Sequence, residues 1–305
     1  MSEITRRSFI QGALAVPLLS QVLFAEESER SQDVWALLSD THIPGDRNKV
    51  GGNPAVNPVA QLAAVRADVL SGAVGKPGGL IVTGDCGYQI KQPADYDTLL
   101  DEFTPFQESG IDVHFVMGNH DHRKSYLSAV AQKAGKEPPE NIPDRLHSVI
   151  ETPKANLFLL DSLEKTNNTP GRFGETQLAW LATQLDARKG KPAILFAHHY
   201  LDYTGRIVQN PHALLDTVDF WKVVKDRKQV KAYIFGHAHV WQHLTKDGVH
   251  LVNLPTTAWR FNPSQPIGWV LCEIKADGIK LTLRSLDPKH PVHNQILELT
   301  WRNQA

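Results

Sequence analysis

A layered α/β fold with a second, largely antiparallel part is what the 305-residue sequence predicts. Two observations carry this. Between Val34 and Phe235, short apolar runs alternate with amphipathic stretches of helical period, the pattern of β-α units. From Val240 onward the texture changes to short strands separated by turns. This tail is expected to form or complete a second sheet, packed on the first within one domain.

The elements follow in order. Glu26 to Gln32 is charged and polar and reads as a linker. Val34 to Ser39 is a buried strand. A loop rich in Gly, Pro and Asn leads to Asn57, where Asn before Pro58 signals a helix start. That helix carries an apolar stripe through Leu62, Val65, Val69 and Leu70. Gly79 to Thr83 reads as a strand, Asp95 to Ser109 as a helix, and Ile111 to Met117 as a strand. His122 to Ala134 reads as a helix and Asn156 to Leu160 as a strand ending at Asp161. Glu164 to Phe173 is a polar loop, and Gly174 to Arg188 an amphipathic helix. Ala193 to Ala197 and Val230 to Phe235 are strands, with a helix from His212 to Arg227 between them. The tail strands are His243 to Thr245, Val249 to Val252, Trp269 to Ile274 and Ile279 to Leu283.

Apolar residues make up 41% of the chain and charged residues 21%, enough for a sizeable core and against disorder. The formal net charge of −1 supplies no basic field, so nucleic acid is not an expected partner. The two cysteines, Cys86 and Cys272, lack zinc-type spacing and read as buried free thiols.

Residues 1–25 read as an export signal. Thr5-Arg6-Arg7-Ser8-Phe9-Ile10 resembles a twin-arginine signal. The apolar run that follows, Gly12 to Phe24, is interrupted by Pro17 and Gln21 and is too short to span a bilayer as a normal helix. Cleavage is expected after Ala25. The twin-arginine export machinery is then a partner, the location is periplasmic, and no stable membrane anchor remains after cleavage. Residues 26–32 are the linker and 33–305 the folded domain.

Five polar clusters each follow a predicted strand. They are Asp40-Thr41-His42, Gly84-Asp85, Gly118-Asn119-His120-Asp121, His198-His199 and Gly236-His237-Ala238-His239. Strand ends in an open α/β sheet share one edge, where ligands bind, so the clusters should converge. Carboxylate oxygen and imidazole nitrogen suit zinc, manganese and iron. Asp40 and His42 are two residues apart, as are His237 and His239, and in extended backbone such pairs point the same way. One carboxylate can bridge two cations.

This ordered set resembles the calcineurin-like metallophosphoesterase superfamily, over Asp40 to His239 for the motifs and beyond for the strand tail. The resemblance implies a four-layer α/β/β/α sandwich of two packed mixed β-sheets flanked by helices. It also implies a dinuclear centre of divalent or trivalent transition-metal ions, manganese, iron or zinc. Carried over residue by residue, Asp40, His42, Asp85 and His239 would hold one metal. Asp85 would bridge, and Asn119, His198 and His237 would complete the second. His120 matches the family's catalytic histidine, with Asp121 orienting it. Residues 33–305 would then be the catalytic domain.

The implied activity is hydrolysis of a small-molecule phosphate ester by a metal-bridging hydroxide, with His120 stabilising the transition state or protonating the leaving group. Gln177-Leu178-Ala179-Trp180-Leu181 and Asp161-Ser162 resemble class III cyclic nucleotide phosphodiesterases and glycerophosphodiesterase relatives. A phosphodiester is favoured, since the expected site edge shows no obvious cationic cluster apart from Arg123, Arg206 and Arg260. The alternatives are a monoesterase of purple-acid-phosphatase type and a non-catalytic scaffold of the same fold. Two departures from the family pattern stand out. Tyr88 replaces a frequent second Asp three residues after Asp85, and is expected to be a wall residue or to sit just behind the ligands rather than to be a ligand. Tyr200 stands where many relatives have proline after the histidine pair.

Overall fold

Alternation along the first strand sets the layering. β1 (Ser31–Leu38) turns Trp35 and Leu37 to one face and Ala36 and Leu38 to the other. The computed structural model describes residues 31–52, 55–88, 92–202 and 212–303. After β1 come α1 (Pro58–Ser71), β2 (Pro77–Val82), α2 (Pro93–Glu108), β3 (Asp112–Phe115) and α3 (Arg123–Lys133). Next are β4 (Ser148–Glu151), β5 (Asn156–Leu159), α4 (Glu175–Ala187), β6 (Ala193–Phe196), α5 (Thr217–Val224) and β7 (Val230–Phe235). The chain closes with β8 (Gln242–Lys246), β9 (Val249–Asn253), β10 (Gly268–Ile274), β11 (Gly278–Ser285) and β12 (Ile296–Thr300). The expected signal, residues 1–25, lies outside the described residues. β1 begins at Ser31, inside the stretch expected to be linker.

Two six-stranded mixed sheets result, ordered β12-β11-β10-β1-β2-β3 and β4-β5-β6-β7-β9-β8. Between them Trp35, Leu37 and Ile81 meet Leu157, Ile194, Ile234 and Val252 in one apolar core. On the outer face of the first sheet, Leu38, Leu80 and Val82 pack with Leu62 of α1 and Phe103 of α2. On the outer face of the second, Phe158, Leu195 and Tyr233 pack with Leu181 of α4 and Phe220 of α5. These are the four layers expected. Each fully buried side chain of this kind stabilises the fold by about 1.5–3 kcal/mol. Cys86 and Cys272 are buried and free.

Local signals explain the helix starts. Asn57 caps α1 through Oδ1, which accepts from the Ala60 N–H at 2.9 Å, with Pro58 in the first turn. The stripe on α1 is buried at Leu62, Val65 and Val69, whereas Leu70 is exposed.

The tail differs from expectation. It does not stay in one sheet: β9 pairs parallel to β7 and β8 antiparallel to β9, while β10 crosses to pair antiparallel to β1 on the side away from β2. The helix expected over His212 to Arg227 is confined to Thr217–Val224. The preceding N–H groups are committed elsewhere. Leu214 donates to the Tyr200 carbonyl at 2.9 Å and Leu215 to that of Gly171 at 2.8 Å. Strands β4 and β12 carry no strong apolar run, being half-exposed edges, and were not foreseen.

Candidate metal centre

The five polar clusters follow β1, β2, β3, β6 and β7. β1, β2 and β3 are parallel neighbours in one sheet, and β6 and β7 in the other. Their C-terminal ends therefore open toward one place, with the two sheets meeting across it. The His198 Nδ1 lies 2.9 Å from the Thr83 carbonyl, and Thr257 N–H donates to the Ser39 carbonyl at 2.8 Å.

The backbone at this edge is not extended. Asp40, His42, Asp85, His237 and His239 all have positive φ, of 52°, 45°, 50°, 68° and 53°. The paired residues converge because both members sit in the left-handed region, not through strand alternation as the spacing suggested. Each such non-glycine residue costs about 1–3 kcal/mol and persists only where its surroundings hold it. Here Asp40 N–H donates to the Gly84 carbonyl at 3.0 Å and His42 N–H to that of Asp85 at 2.9 Å. Glycines make the approach possible. A Cβ on Gly118 would lie 2.3 Å from Asp85 Oδ1, and one on Gly236 would lie 1.8 Å from Ser39 Oγ.

All seven sequence-predicted ligands come together, buried or nearly so. His239 Nε2 lies 3.2 Å from Asp40 Oδ1 and 3.5 Å from His42 Nε2. His198 Nε2 lies 3.2 Å from Asn119 Oδ1 and 3.2 Å from His237 Nδ1. The Asp85 carboxylate divides between the two groups. Its Oδ2 is 3.8 Å from His42 Nε2, and its Oδ1 is 3.3 Å from His198 Nε2.

The ring tautomers are set from behind. His239 Nδ1 meets the Trp259 carbonyl at 2.5 Å and His198 Nδ1 meets that of Thr83, so in the neutral rings that a metal requires both Nε2 lone pairs face the cluster. Asp40 Oδ2 accepts from Ser39 Oγ at 2.5 Å and from the His237 N–H at 3.2 Å. Asp40 Oδ1 is buried with no hydrogen-bond partner.

Facing lone pairs, an orphaned carboxylate oxygen and a carboxylate split between two groups fit two cations. Asp40, His42 and His239 form one group with ligand spacing, and Asp40, Asp85 and His198 another.

The electrostatics agree. Burial alone would raise the carboxyls of Asp40 and Asp85, but imidazoles outweigh it, chiefly His239 for Asp40 and His198 for Asp85, and hold both below the usual range. Burial opposes charge on His198, yet Asp85 and Asp40 hold its pKa up to about 9. Burial, reinforced by neighbouring imidazoles, pushes His42 and His237 each down to about 3. His199 groups with His198 and His237 as a further possible set, but its Nδ1 is 2.8 Å from Ser162 Oγ.

A pocket of about 410 Å³ opens above the cluster, with His120 on its wall. Asp121 does not orient that histidine. Its carboxylate is fully buried beneath the turn and accepts from the N–H groups of Gly118 (2.8 Å), Gly87 (3.0 Å) and Cys86 (3.1 Å) and from the Tyr96 hydroxyl (3.2 Å). Burial first, and then the Asp85 carboxylate, raises the Asp121 pKa to about 6. The His120 ring instead meets Asn167, with Nδ1 3.1 Å from Oδ1.

Sequence reasoning also missed the aromatic walls. Trp259 stacks on His42 with ring centroids 4.3 Å apart, and Phe261 on His239 at 4.2 Å. They carry no ligand-type signal, and only their place after a strand could have marked them. Tyr88 packs edge-on against Trp259 at 5.8 Å, behind that ring rather than in the lining of the pocket. Tyr200 lines the pocket beside His237.

Arg123 is committed away from the pocket, with Nε 2.6 Å and Nη2 2.8 Å from the two oxygens of the buried Asp161 carboxylate. Asp161 is therefore a structural anchor. Arg260 donates to the Gln265 carbonyl at 3.1 Å, and Arg206 lies outside the described residues. Among the described residues no Arg or Lys lines the pocket.

Comparison with known proteins places this arrangement. The calcineurin-like phosphoesterase family profile matches residues 35–241. The chain is 27% identical over 184 residues to a 3',5'-cyclic adenosine monophosphate phosphodiesterase, CpdA, of Vibrio vulnificus, covering 60% of this chain and 62% of that protein. It is 29% identical over 194 residues to a probable cyclic nucleotide phosphodiesterase of Psychrobacter arcticus, covering 60% and 64%. The match thus spans less than two thirds of the length of either relative. A dimetal phosphatase from Danio rerio has the same fold, with a TM-score of 0.67 at 18% identity over 89% of this chain and all of that one. With the profile spanning more than half of its length, the chain belongs to the calcineurin-like phosphoesterase family.

Proposed function

We propose that the protein is a two-metal phosphoesterase that hydrolyses small phosphodiesters. The observation that carries this reading is the Asp85 carboxylate, whose two oxygens face two separate groups of ligand-type atoms at the floor of a pocket. Asp40, His42, Asp85 and His239 are assigned to one ion, and Asp85, Asn119, His198 and His237 to the other. Transition-metal ions held there would polarise phosphoryl oxygens and bring the pKa of water close to neutral.

The chain's own residues do the rest. Two carboxylates among neutral donors leave a loaded centre positive, so an anionic phosphoryl group is drawn in. Trp259 and Phe261 cover His42 and His239 and keep water from their outer faces. His120 stands beside His42, with ring centroids 5.3 Å apart, and gives a proton to the leaving oxygen as the P–O bond breaks.

A diester carries one negative charge and a monoester up to two. A pocket with no Arg or Lys among its described lining residues favours the former. The two relatives' names, both cyclic nucleotide phosphodiesterases, support the same preference and make a cyclic nucleotide a candidate substrate. The expected result is a kcat/KM for bis(p-nitrophenyl) phosphate at least about tenfold above that for p-nitrophenyl phosphate, a difference of about 1.4 kcal/mol in transition-state binding. A preference for the monoester would overturn the reading. Failure of metal-replete protein to hydrolyse either would favour a non-catalytic scaffold.

Export by the twin-arginine route to the periplasm is also proposed, supported by Arg6-Arg7 ahead of the apolar run. Among the described residues no helix is long and apolar enough to cross a membrane. Replacing both arginines with lysine is expected to leave the protein in the cytoplasm. Unimpaired periplasmic recovery of that variant would sink the proposal.

A further inference from the structure

The imidazole of His120 needs a partner on one nitrogen if the other is to carry a proton to or from substrate. Asp121, the neighbour expected to supply it, spends its carboxylate on three backbone N–H groups and the Tyr96 hydroxyl. The position three residues after Asp85 is Tyr88, whose ring packs on Trp259 and offers no carboxylate. Among the described residues, the polar side chain that meets the His120 ring is Asn167, in the loop between β5 and α4.

That loop is built onto the turn carrying His120. Asn167 N–H donates to the Asn119 carbonyl at 2.7 Å. Thr166 Oγ1 donates to the Asp121 carbonyl at 2.7 Å. The two bonds flank His120, on the residues immediately before and after it. A third tie lies upstream, where Arg123, paired with Asp161, also donates to the Leu163 carbonyl at 2.5 Å. Asn167 itself has a φ of 60°, a backbone state that Asn tolerates better than most residues. The strained backbone, the clamp on both sides and the side-chain contact all aim one amide at one imidazole nitrogen.

We infer that Asn167 is the positioning residue for His120. This rests on the phosphoesterase reading above. Asn167 Oδ1 accepts from Nδ1–H, so Nδ1 keeps its proton throughout and Nε2 is the nitrogen that exchanges one. In the forward step Nε2–H passes its proton to the leaving oxygen while that oxygen takes the electron pair of the breaking P–O bond. The imidazolium becomes a neutral imidazole that still holds Nδ1–H. A leaving group that is already a stable anion gains little from this proton, and a poorer one gains much.

The test pairs a spectroscopic and a kinetic measurement on zinc-loaded protein, using wild type, Asn167→Gly and Asn167→Asp. Glycine removes the amide without strain at positive φ, and aspartate retains the acceptor. Nitrogen-15 spectra are expected to show a fixed Nδ1–H tautomer for His120 in wild type and Asn167→Asp, and a mixture in Asn167→Gly.

The kinetic arm compares bis(p-nitrophenyl) phosphate with diphenyl phosphate, whose leaving phenol resembles tyrosine with a pKa of about 10. In Asn167→Gly, kcat on diphenyl phosphate is expected to fall by roughly 10²-fold and kcat on the nitrophenyl ester by less than about threefold. KM and zinc content should not change, and Asn167→Asp should restore the wild-type ratio. Equal losses on both esters, or an unchanged His120 tautomer in Asn167→Gly, would overturn the inference. Wild-type protein inactive on both esters would instead sink the phosphoesterase reading, while the nitrogen-15 spectrum would still report on the Asn167 contact.

Discussion

Asp85→Ala is expected to lose at least one metal ion and to bring phosphodiesterase activity to background. The two Asp85 oxygens face different donor groups, His42 on one side and His198 on the other. Removing the carboxylate takes one anionic ligand from each proposed ion at once. Asp40 then remains as the one carboxylate in the two groups, and two cations would face each other with half of the protein's compensating charge gone. The loss should also be visible without substrate. Ligands that bind only the native state raise its stability by mass action, so adding metal should raise the Tm of wild type clearly and that of Asp85→Ala much less. Metal analysis, calorimetry and kinetics on the purified variant check this. A variant with two ions per chain and full activity would refute the assignment of Asp85 as the shared ligand.

The centre was legible in the sequence because its chemistry is local in the chain. Each cluster is a strand end followed within a few residues by Asp, Asn or His, and parallel pairing brings such ends together whatever the details of the fold. Two of the glycines in these clusters were legible for the same reason. Gly118 and Gly236 stand directly before Asn119 and His237, where a Cβ would collide with Asp85 or Ser39. Spacing alone misled in one respect. A two-residue separation suggests extended backbone, whereas Asp40, His42, His237 and His239 are all left-handed. Side-chain identity survives that change and backbone conformation does not.

What was not legible is long-range. Asn167 is 47 residues from His120 and sits in a loop that reads only as polar. Trp259 and Phe261 look like ordinary aromatics until β9 and β10 place them against His42 and His239. Asp121, adjacent to His120, was an obvious candidate for its partner. A carboxylate at the end of a tight turn can instead fold back under it, and the N–H groups of Gly118, Cys86 and Gly87 provide more hydrogen bonds there than one imidazole could. The tail strands were foreseen as strands, but their division between two sheets depends on pairings across the whole chain, such as Trp35 with Cys272.

His120→Ala is expected to separate chemistry from metal binding. Its ring nitrogen Nδ1 meets Asn167, its backbone N–H donates to Asp85 Oδ1 at 2.9 Å, and it belongs to none of the three clusters of ligand-spaced side chains. Alanine keeps that backbone donor, so Asp85 retains its orientation and both ions should stay near wild-type occupancy. The imidazole that lines the pocket is lost, and with it the proton that the proposed mechanism gives to the leaving oxygen. Loss of such a group lowers kcat by roughly 10²–10⁴-fold, or about 2.7–5.5 kcal/mol of transition-state stabilisation. KM should change little, because the interaction strengthens only as charge develops on the leaving oxygen. The deficit should shrink as the leaving group becomes a better anion, being larger for diphenyl phosphate than for bis(p-nitrophenyl) phosphate. Asp121→Asn, by contrast, should act through folding of the turn, lowering Tm with little dependence on the leaving group, since its carboxylate binds Gly118, Gly87 and Cys86 rather than the imidazole. Loss of both ions from His120→Ala, or a deficit of the same size on both esters, would show that His120 holds the centre together instead of serving the reaction.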